Sequence, residues 1–297
     1  MVRCIVPVFL LTACGAPLTP EAPGPGAPEP APEAPAPDAR PAASPAAQPA
    51  AAPQEPWARR GVPEGPDFAL ARRGLELATD THRLLPDNVG DALNCTNCHL
   101  EEAQRPKAAP WVGVTDRYPK YRKRSGKVDD LQDRINGCFE RSMNGTPLAR
   151  DSEPMLALVA YMAFLSEGVE DGKALEGIGM PRIQPPEEPD PARGEAIYIA
   201  KCSACHQVSG AGVMGPDDKT MFPPLWGERS YNIGAGMARL DTAAAFVKWN
   251  MPHGQGGSLT DQEAYDVASY FIFQDRPDFA GKDKDWPKGG KPRDARY

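Results

Sequence analysis

Cys95-Thr96-Asn97-Cys98-His99 and Cys202-Ser203-Ala204-Cys205-His206 are two copies of the pattern Cys-x-x-Cys-His. In this pattern the two thiols bond covalently to a haem, and the adjacent histidine ligates its iron. Zinc would need further cysteine or histidine ligands near each pair, and a thioredoxin-like dithiol would need a βαβ context that the sequence lacks. Two copies in a chain with four histidines are not expected by chance. The sequence therefore predicts two covalently bound haem c groups.

Each motif stands in the same order of predicted helices. A helix-forming stretch precedes it, at 70–77 in the first copy and at 191–198 in the second. An apolar helix follows after a polar capping sequence, at 155–165 and at 264–272. No segment alternates convincingly at period two, so we expect no strands. This order predicts an all-α fold with two class I cytochrome c-like domains.

The first 56 residues differ in composition from the rest. Residues 1–13 carry one cation and a short apolar run that cannot span a bilayer, which predicts a signal peptide. Leu11–Gly15 resembles a bacterial lipobox, so Cys14 is predicted to carry lipid, with an ordinary signal peptide as the alternative. Because Gly15 is not acidic, an outer-membrane anchor is favoured. Residues 14–56 are rich in Pro and Ala, which predicts a disordered tether.

The remaining chain is expected to form an N-terminal domain at 57–180 and a C-terminal domain at 181–297 that ends in a polar tail. A stretch rich in Pro and Gly at 177–191 separates them. No later stretch reaches the roughly 18 consecutive apolar residues that a membrane span needs. We therefore expect a periplasmic protein whose only membrane contact is its N-terminal lipid.

Charge is distributed unevenly along the chain. The formal net charge of −7 argues against nucleic acid as a partner. Against this background, Arg117–Lys127 holds six cations in eleven positions. A solvated face or a docking patch is the ordinary interpretation of such a run.

The sixth iron ligands distinguish the two haems. In the second domain Met251 follows the histidine of the motif by 45 residues, where cytochrome c domains usually place the distal methionine, and Met237 is the alternative. No histidine follows the first motif within its domain. The candidates there are Cys138, Met143, Met155, Met162 and Met180; Met155 and Met162 lie on the capped helix and are better interpreted as core, and Met143 is the main competitor of Cys138. Cys138 is the only cysteine that remains once one is assigned to the signal peptide, one to the lipid and four to the haem groups. The ordinary interpretation of such a residue is a buried, inert thiol.

Longer stretches of the chain resemble the dihaem thiosulfate dehydrogenases of the TsdA type. The resemblance covers roughly residues 65–280, in order and in both domains. It is carried by Arg124–Gly126, Asp133–Gly145, Pro223–Gly227, Tyr231–Met237, Asn250–Pro252, Gln262–Tyr270 and Arg276–Phe279.

This resemblance implies roles for several residues. Cys138 matches the cysteine that ligates the active-site haem opposite His99, and Arg124 and Arg134 match arginines that line the substrate pocket. Met251 matches the methionine of the second haem. Some members carry a lysine just before that methionine and exchange the two ligands with redox state. This chain has asparagine there, which argues against such an exchange.

The implied chemistry agrees with the residue types. Coupling two thiosulfate dianions to tetrathionate brings four negative charges together, and guanidinium groups hold sulfonate oxygens in a fork geometry. Our hypothesis is that Cys138 leaves the iron, takes the sulfane sulfur of one thiosulfate, and releases tetrathionate when a second thiosulfate attacks. The electrons would leave through the second haem to a small periplasmic carrier such as a cytochrome c. Tetrathionate reduction would use the same parts in reverse.

Three other functions compete with this one. A dihaem lipoprotein that only transfers electrons explains both motifs but gives no role to Cys138 or the arginines. A SoxA-like subunit would also use a cysteine-ligated haem, but it would pass sulfur to a carrier protein. A dihaem peroxidase needs an open or bis-histidine haem, and the scarcity of histidines argues against it.

Overall fold

The computed structural model describes residues 57–169, 171 and 175–297. The predicted signal peptide, Cys14 and the tether lie outside the described residues. Helices and two short antiparallel strand pairs follow one another along the chain: α1 (Ala69–Thr79), α2 (Thr81–Leu84), α3 (Leu100–Ala103), β1 (Lys120–Arg122), β2 (Lys127–Asp129), α4 (Leu131–Arg141), α5 (Glu153–Ser166), α6 (Pro191–Lys201), α7 (Ser203–His206), β3 (Val213–Met214), β4 (Thr220–Phe222), α8 (Leu240–Asn250) and α9 (Asp261–Ile272).

Polar caps set the starts of the long helices, as their sequences predict. The side chain of Ser152 accepts a hydrogen bond from the backbone N–H of Met155 at the start of α5. At the start of α9, the Thr260 hydroxyl accepts from the backbone N–H of Glu263 at 3.1 Å, and the Glu263 carboxylate accepts from the backbone N–H of Thr260 at 2.7 Å. These bonds satisfy N–H groups that a helix end leaves without partners.

The first and last helices of each half cross at a glycine. Helix α1 packs on α5 and α6 packs on α9. A Cβ atom on Gly74 would lie 2.0 Å from the carbonyl oxygen of Ala157, and one on Gly194 would lie 2.0 Å from that of Asp266. Only glycine permits backbones to approach this closely. The two halves are therefore built on the same helix crossing.

The expectation of no strands is wrong locally. Strands β1 and β2 form a hairpin inside the cationic run, closed by a hydrogen bond from the Gly126 N–H to the Arg122 carbonyl at 2.9 Å. Strands β3 and β4 form a second pair with an irregular register. Each strand has two or three residues, which is too short to produce a period-two pattern in the sequence. The architecture remains all-α with these two small additions.

Helix α4 is also absent from the sequence expectations, although Cys138 lies on it. Asp130 caps it, accepting a hydrogen bond from the backbone N–H of Asp133 at 2.8 Å. Only Ile135 and Phe139 of this helix are buried, so its apolar periodicity is weak in the sequence.

Two apolar cores correspond to the two halves, but the chain crosses between them. The first core centres on Leu77, Phe139 and Tyr161, and the second on Tyr198 and Val267. Side chains from the loop at 231–238, which lies in the second half of the sequence, pack in the first core. The final segment also returns to the first half. Among the described residues, no helix combines the length and apolar character needed to cross a membrane.

Candidate active site

The first haem motif presents its histidine in a fixed orientation. Nδ1 of His99 lies 2.6 Å from the carbonyl oxygen of Ala109. Since a carbonyl can only accept, Nδ1 carries the proton and Nε2 is left as the ligating nitrogen. The indole of Trp111 packs beside the imidazole, with ring centroids 5.2 Å apart. This is the tautomer that a proximal haem ligand requires.

The second motif repeats this arrangement. Nδ1 of His206 donates to the carbonyl oxygen of Pro223 at 2.9 Å, which again leaves Nε2 to bind a metal. Burial lowers the pKa of the His206 imidazole, and the bond to Pro223 acts in the opposite direction. The net effect favours the neutral ring, which is the form that ligates iron.

The cysteines of the motifs fit thioether attachment. Cys95, Cys98 and Cys202 are free thiols that are partly buried. Burial raises the pKa of Cys95 and of Cys98 to about 12, and that of Cys202 to about 11. Such surroundings disfavour a thiolate and suit an uncharged thioether. The residues present therefore fit two haem c groups.

Cys138 has the opposite environment. Burial alone would raise the pKa of its thiol, but the Arg134 guanidinium and the His99 side chain outweigh burial and lower that pKa from 9.0 to about 6. Nη1 of Arg134 donates to the sulfur at 2.7 Å, and the His99 side chain lies close enough to the thiol to influence its pKa. The structure thus brings Cys138, Arg134 and His99 together. A thiolate held in this way is a nucleophile and a metal ligand.

The competing methionine lies elsewhere. Met143 is 3% exposed and packs in the apolar core of the first half. Its backbone N–H donates to the carbonyl of Cys138 at 3.0 Å, so the two residues are close along the chain. The contact to His99 is made by the cysteine side chain.

A cavity of about 290 Å³ lies beside Arg134, and Arg124 also lines it. The sequence-predicted arginines therefore face one space. Five cationic and three acidic side chains line this cavity, so its charge favours anions: Arg122, Arg124, Lys127, Arg134 and Arg141 against Asp129, Asp133 and Glu140.

Arg124 is held from three sides. Its Nη1 donates to the Gly234 carbonyl at 2.6 Å, its Nε lies 3.5 Å from a carboxylate oxygen of Asp285, and its guanidinium stacks 4.8 Å from the centroid of the Trp286 ring. Of the neighbouring cations, Arg122 also lines the cavity, whereas Lys120 is exposed.

Sequence reasoning missed two residues of this region. Arg141 lines the cavity and forms an ion pair of 2.6 Å with Asp285. Arg141 lies inside a stretch that carries the family resemblance, which was the signal available for it. Asp285 lies 144 positions further along the chain, and no local pattern marks it.

The two methionine candidates in the second half share one small apolar cluster, that of Leu100, Ala108 and Phe246, and differ in the larger core that each contacts. Met251 packs against the second core together with Cys202, Trp226 and Tyr270, whereas Met237 packs against the first core. Met251 therefore shares a cluster with the second haem motif. Asn250, immediately before it, is fully buried and donates through Nδ2 to the carbonyl of Lys107 at 3.0 Å.

Comparison with known proteins agrees with this site. Residues 88–170 match the family model "SoxA/TsdA, cytochrome c domain", and residues 191–271 match the model "Cytochrome c". A thiosulfate dehydrogenase of Psychrobacter arcticus is 47% identical over 79% of this chain and 72% of its own length. One from Allochromatium vinosum is 46% identical over 72% of this chain and 82% of its own length.

A solved structure gives the same result. The thiosulfate dehydrogenase TsdBA of Marichromatium purpuratum, in its as-isolated form, superposes with a TM-score of 0.70 at 41% identity. The match covers 74% of this chain and 49% of that one, so the chain spans about half the length of that protein. With two cytochrome c domains that bind two haem c groups covalently, the chain belongs to the thiosulfate dehydrogenase family.

Proposed function

We propose that this protein oxidises thiosulfate, coupling two molecules to tetrathionate. The observation that carries the proposal is the environment of Cys138. Its thiol contacts Arg134 at 2.7 Å and meets the proximal histidine of the first haem motif, beside a cavity with an excess of cations. A site that only transfers electrons needs neither a polarised thiol nor an anion-binding cavity.

The ligand assignments follow from the same contacts. His99 and Cys138 would ligate the first haem iron, and His206 and Met251 the second. When bound, each haem supplies a one-electron acceptor, so that together they take up the electron pair that the reaction releases. The shared cluster of Met251 and Cys202 supports Met251 over Met237 as the second methionine ligand.

The arginines bind and orient the anions. Arg124 and Arg134, ten positions apart in the sequence, both line the cavity, and both remain cationic at neutral pH. Guanidinium groups bind sulfonate oxygens through paired N–H donors and reduce the repulsion between dianions. The sulfane sulfur of a thiosulfate bound there would point toward Cys138.

Covalent catalysis by Cys138 accounts for the reaction. The thiolate forms a bond to the sulfane sulfur of one thiosulfate while two electrons leave, which gives a cysteine S-thiosulfonate. The sulfane sulfur of a second thiosulfate then attacks that adduct, the bond to cysteine breaks, and tetrathionate departs. Cys138 regains its thiolate, so charge and sulfur balance over the cycle.

The second half provides the exit for electrons. Cys205 is exposed, and three nearby apolar side chains on the segment 208–222 are exposed as well: Val208, Met221 and Phe222. An apolar patch beside a haem attachment site suits a transient contact with a small electron carrier such as a cytochrome c. The carrier would be periplasmic.

Location and domain limits are part of the proposal. An exported protein, anchored through lipid at Cys14 and extended by the tether at 14–56, would place the enzyme in the periplasm at the outer membrane. The proposed domains are 57–180 and 181–297. The family-model matches at 88–170 and 191–271 fall inside these limits and support them.

Purified holoenzyme provides the test. Thiosulfate should reduce an artificial one-electron acceptor such as ferricyanide and yield tetrathionate, and Cys138→Ala should lose at least about 10³-fold in kcat. Met143→Leu is the matched control because it changes the neighbouring candidate ligand without touching the thiol. If the wild type neither reduces the acceptor nor forms tetrathionate, the proposed function is wrong.

A SoxA-like role is the second candidate, because the model that matches residues 88–170 describes SoxA as well as TsdA domains. In that role the enzyme would transfer sulfur from Cys138 to a carrier protein. The two functions differ in a simple assay: tetrathionate formed by the purified chain alone supports the dehydrogenase, and acceptor reduction that requires a sulfur-carrier protein supports the SoxA-like role.

A further inference from the structure

The last segment of the chain packs against the first half. Residues Gly281–Tyr297, here called the C-terminal strap, run over the β1–β2 hairpin. The backbone N–H of Trp286 donates to the carbonyl of Arg124 at 2.8 Å, and Pro287 occupies the space above Gly126, where a Cβ would lie 2.6 Å from its ring. The strap therefore contacts the turn that carries Arg124.

An ion pair anchors the other end of the strap. Asp294 accepts hydrogen bonds from Nε of Arg239 and from the backbone N–H of Asp241, both at 3.1 Å. These contacts hold the strap against the start of helix α8. The strap is thus fixed at both ends, on two different parts of the fold.

Asp285 joins two arginines of the cavity. Its side chain is 2% exposed; one carboxylate oxygen lies 2.6 Å from Nη2 of Arg141, and the other lies 3.5 Å from Nε of Arg124. The hydroxyl of Tyr297 also donates to this carboxylate. Arg124 comes from the hairpin and Arg141 from the end of α4, so one buried carboxylate connects two elements.

Electrostatics explain why such a carboxylate is needed. Burial lowers the pKa of the Arg124 guanidinium, and the nearby Arg141 and Arg239 lower it further, whereas Tyr297 and Asp285 act in the opposite direction. Two partly buried cations repel each other strongly at low dielectric. Without an anion between them, the two long side chains would separate and turn toward water, where each regains rotamer freedom.

Aromatic rings fix the planes of both guanidinium groups. Arg124 stacks on the ring of Trp286, and Arg141 lies 4.5 Å from the centroid of the Phe279 ring. The Gly234 carbonyl and Asp285 account for Nη1 and Nε of Arg124. A guanidinium has five N–H donors, so Arg124, which lines the cavity, has three further donors beyond these two contacts.

The position of this pair suits a second dianion. Arg134, at the thiol of Cys138, can hold the thiosulfate that reacts first. Arg124 and Arg141 line the same cavity, and Arg141 also lines an adjoining one of about 640 Å³. Together the two cavities offer room for a thiosulfate that approaches an anion already bound at Cys138.

We infer that Asp285 is a positioning residue for thiosulfate oxidation, and that it holds Arg124 and Arg141 as a pair that binds the second thiosulfate. This inference rests on the proposed function. It assigns a role to the strap and adds Arg141 to the substrate-binding residues.

Steady-state kinetics of the holoenzyme variant Asp285→Asn test the inference. The substitution keeps the size of the side chain and removes the charge. We expect KM for thiosulfate to rise about tenfold or more, with kcat changed less than about threefold, because hydrogen bonds from charged groups to the substrate are lost while Cys138 is untouched. Asp285→Glu, which restores the charge, should recover part of the loss.

The matched control is Asp294→Asn, which removes a buried carboxylate from the same strap but not from the arginine pair. We expect its KM to stay within about twofold of the wild type, the usual effect of changes away from a site. If it raises KM as much as Asp285→Asn does, the strap acts as a whole and the specific role of Asp285 is wrong. Two other outcomes for Asp285→Asn also overturn the inference. An unchanged KM would show that the carboxylate has no role in substrate binding, and a lower KM would show that it competes with the substrate for the arginines.

Two further measurements separate the possible failures. Haem absorbance and the thermal unfolding midpoint show whether the Asp285→Asn variant folds. If that variant does not fold, Arg141→Lys is used in its place. Arg141→Lys should raise KM because lysine keeps the positive charge but lacks the paired N–H donors of a guanidinium. A wild type that does not oxidise thiosulfate refutes the proposed function along with this inference. An active wild type with an unchanged KM in these variants refutes the inference alone.

Discussion

The two halves share a scaffold and differ in what faces the proximal histidine. In both, the histidine Nδ1 donates to a backbone carbonyl, and the flanking helices cross at a glycine. In the first half the candidate is the thiol of Cys138, which accepts a hydrogen bond from Arg134. In the second half the corresponding candidate is Met251, packed among apolar side chains.

This difference shows how one fold can serve two purposes. A low-pKa thiol beside an anion-binding cavity provides a place for bonds to form and break. A methionine in apolar surroundings provides an uncharged ligand and raises the potential of a haem that only relays electrons. Both halves share the histidine orientation and the glycine crossing, so we attribute the difference in chemistry to a few side chains near each haem motif.

Cys138→Met would make the first half resemble the second, and we expect the largest effect from it. Thiosulfate oxidation should fall at least about 10³-fold because the nucleophile is gone. EPR of the oxidised protein should change from one thiolate-type and one methionine-type low-spin signal to two methionine-type signals. Retained activity in this variant would show that the halves do not differ in the way proposed.

Arg134→Gln removes the cation that contacts the thiol while leaving the thiol in place. We expect kcat/KM for thiosulfate to fall roughly 10- to 100-fold, the usual range for loss of a hydrogen bond to a charged group. Arg150→Gln, in the exposed loop after α4, is the control: it removes a cation whose ion pairs are with the partly exposed residues Asp130 and Asp133, and it should behave as the wild type. If both variants keep full activity, Arg134 does not support the chemistry.

Met251→Ala removes the candidate methionine ligand of the second half. We expect the midpoint potential of one haem to drop on the order of 100 mV, a fraction of the roughly 0.8 V range over which axial ligands act. Turnover with a cytochrome carrier should slow while KM for thiosulfate stays constant. A shift of the potential in Met237→Ala instead would assign the ligand to the alternative methionine.

Gly74→Ala and Gly194→Ala test the shared scaffold, and their effect on activity should be the smallest. Each adds a Cβ 2.0 Å from a carbonyl oxygen, and overpacking of this kind costs about 1–3 kcal/mol of unfolding free energy. Calorimetry should show similar losses for both. Gly61→Ala, where no atom lies within 4 Å of the added Cβ, is the control; unequal losses would show that the halves rely on the crossing differently.

Local sequence signals predict much of this fold. The haem groups, the two cytochrome c domains and the helices that begin at Ser152 and Thr260 follow from motifs and caps only a few residues long, and the structure and comparisons confirm them. The sequence does not predict the two short strand pairs, because strands of two or three residues are too short to show a period-two pattern. The roles of Cys138, Arg124, Arg134 and Met251 remain predictions.

Contacts between distant residues were not accessible in this way. Asp285 meets Arg141 across 144 positions, and Tyr231 enters the core of the other half. Such contacts depend on how complete elements pack, which one sequence does not encode as a local pattern. Spacing also cannot distinguish Cys138 from Met143, which lie five positions apart; the burial of Met143 in the first core favours Cys138, and the ligand itself remains a prediction.

The glycine crossings also bear on the speed of electron movement. Helices whose backbones touch leave little room to slide, and α6 runs directly into Cys202, where the second haem would be attached. A rigid frame changes little when the charge at its centre changes, which is the condition for a low reorganisation energy. A change of charge at a haem held in this frame would therefore require little rearrangement of the protein, whichever direction the electron moves.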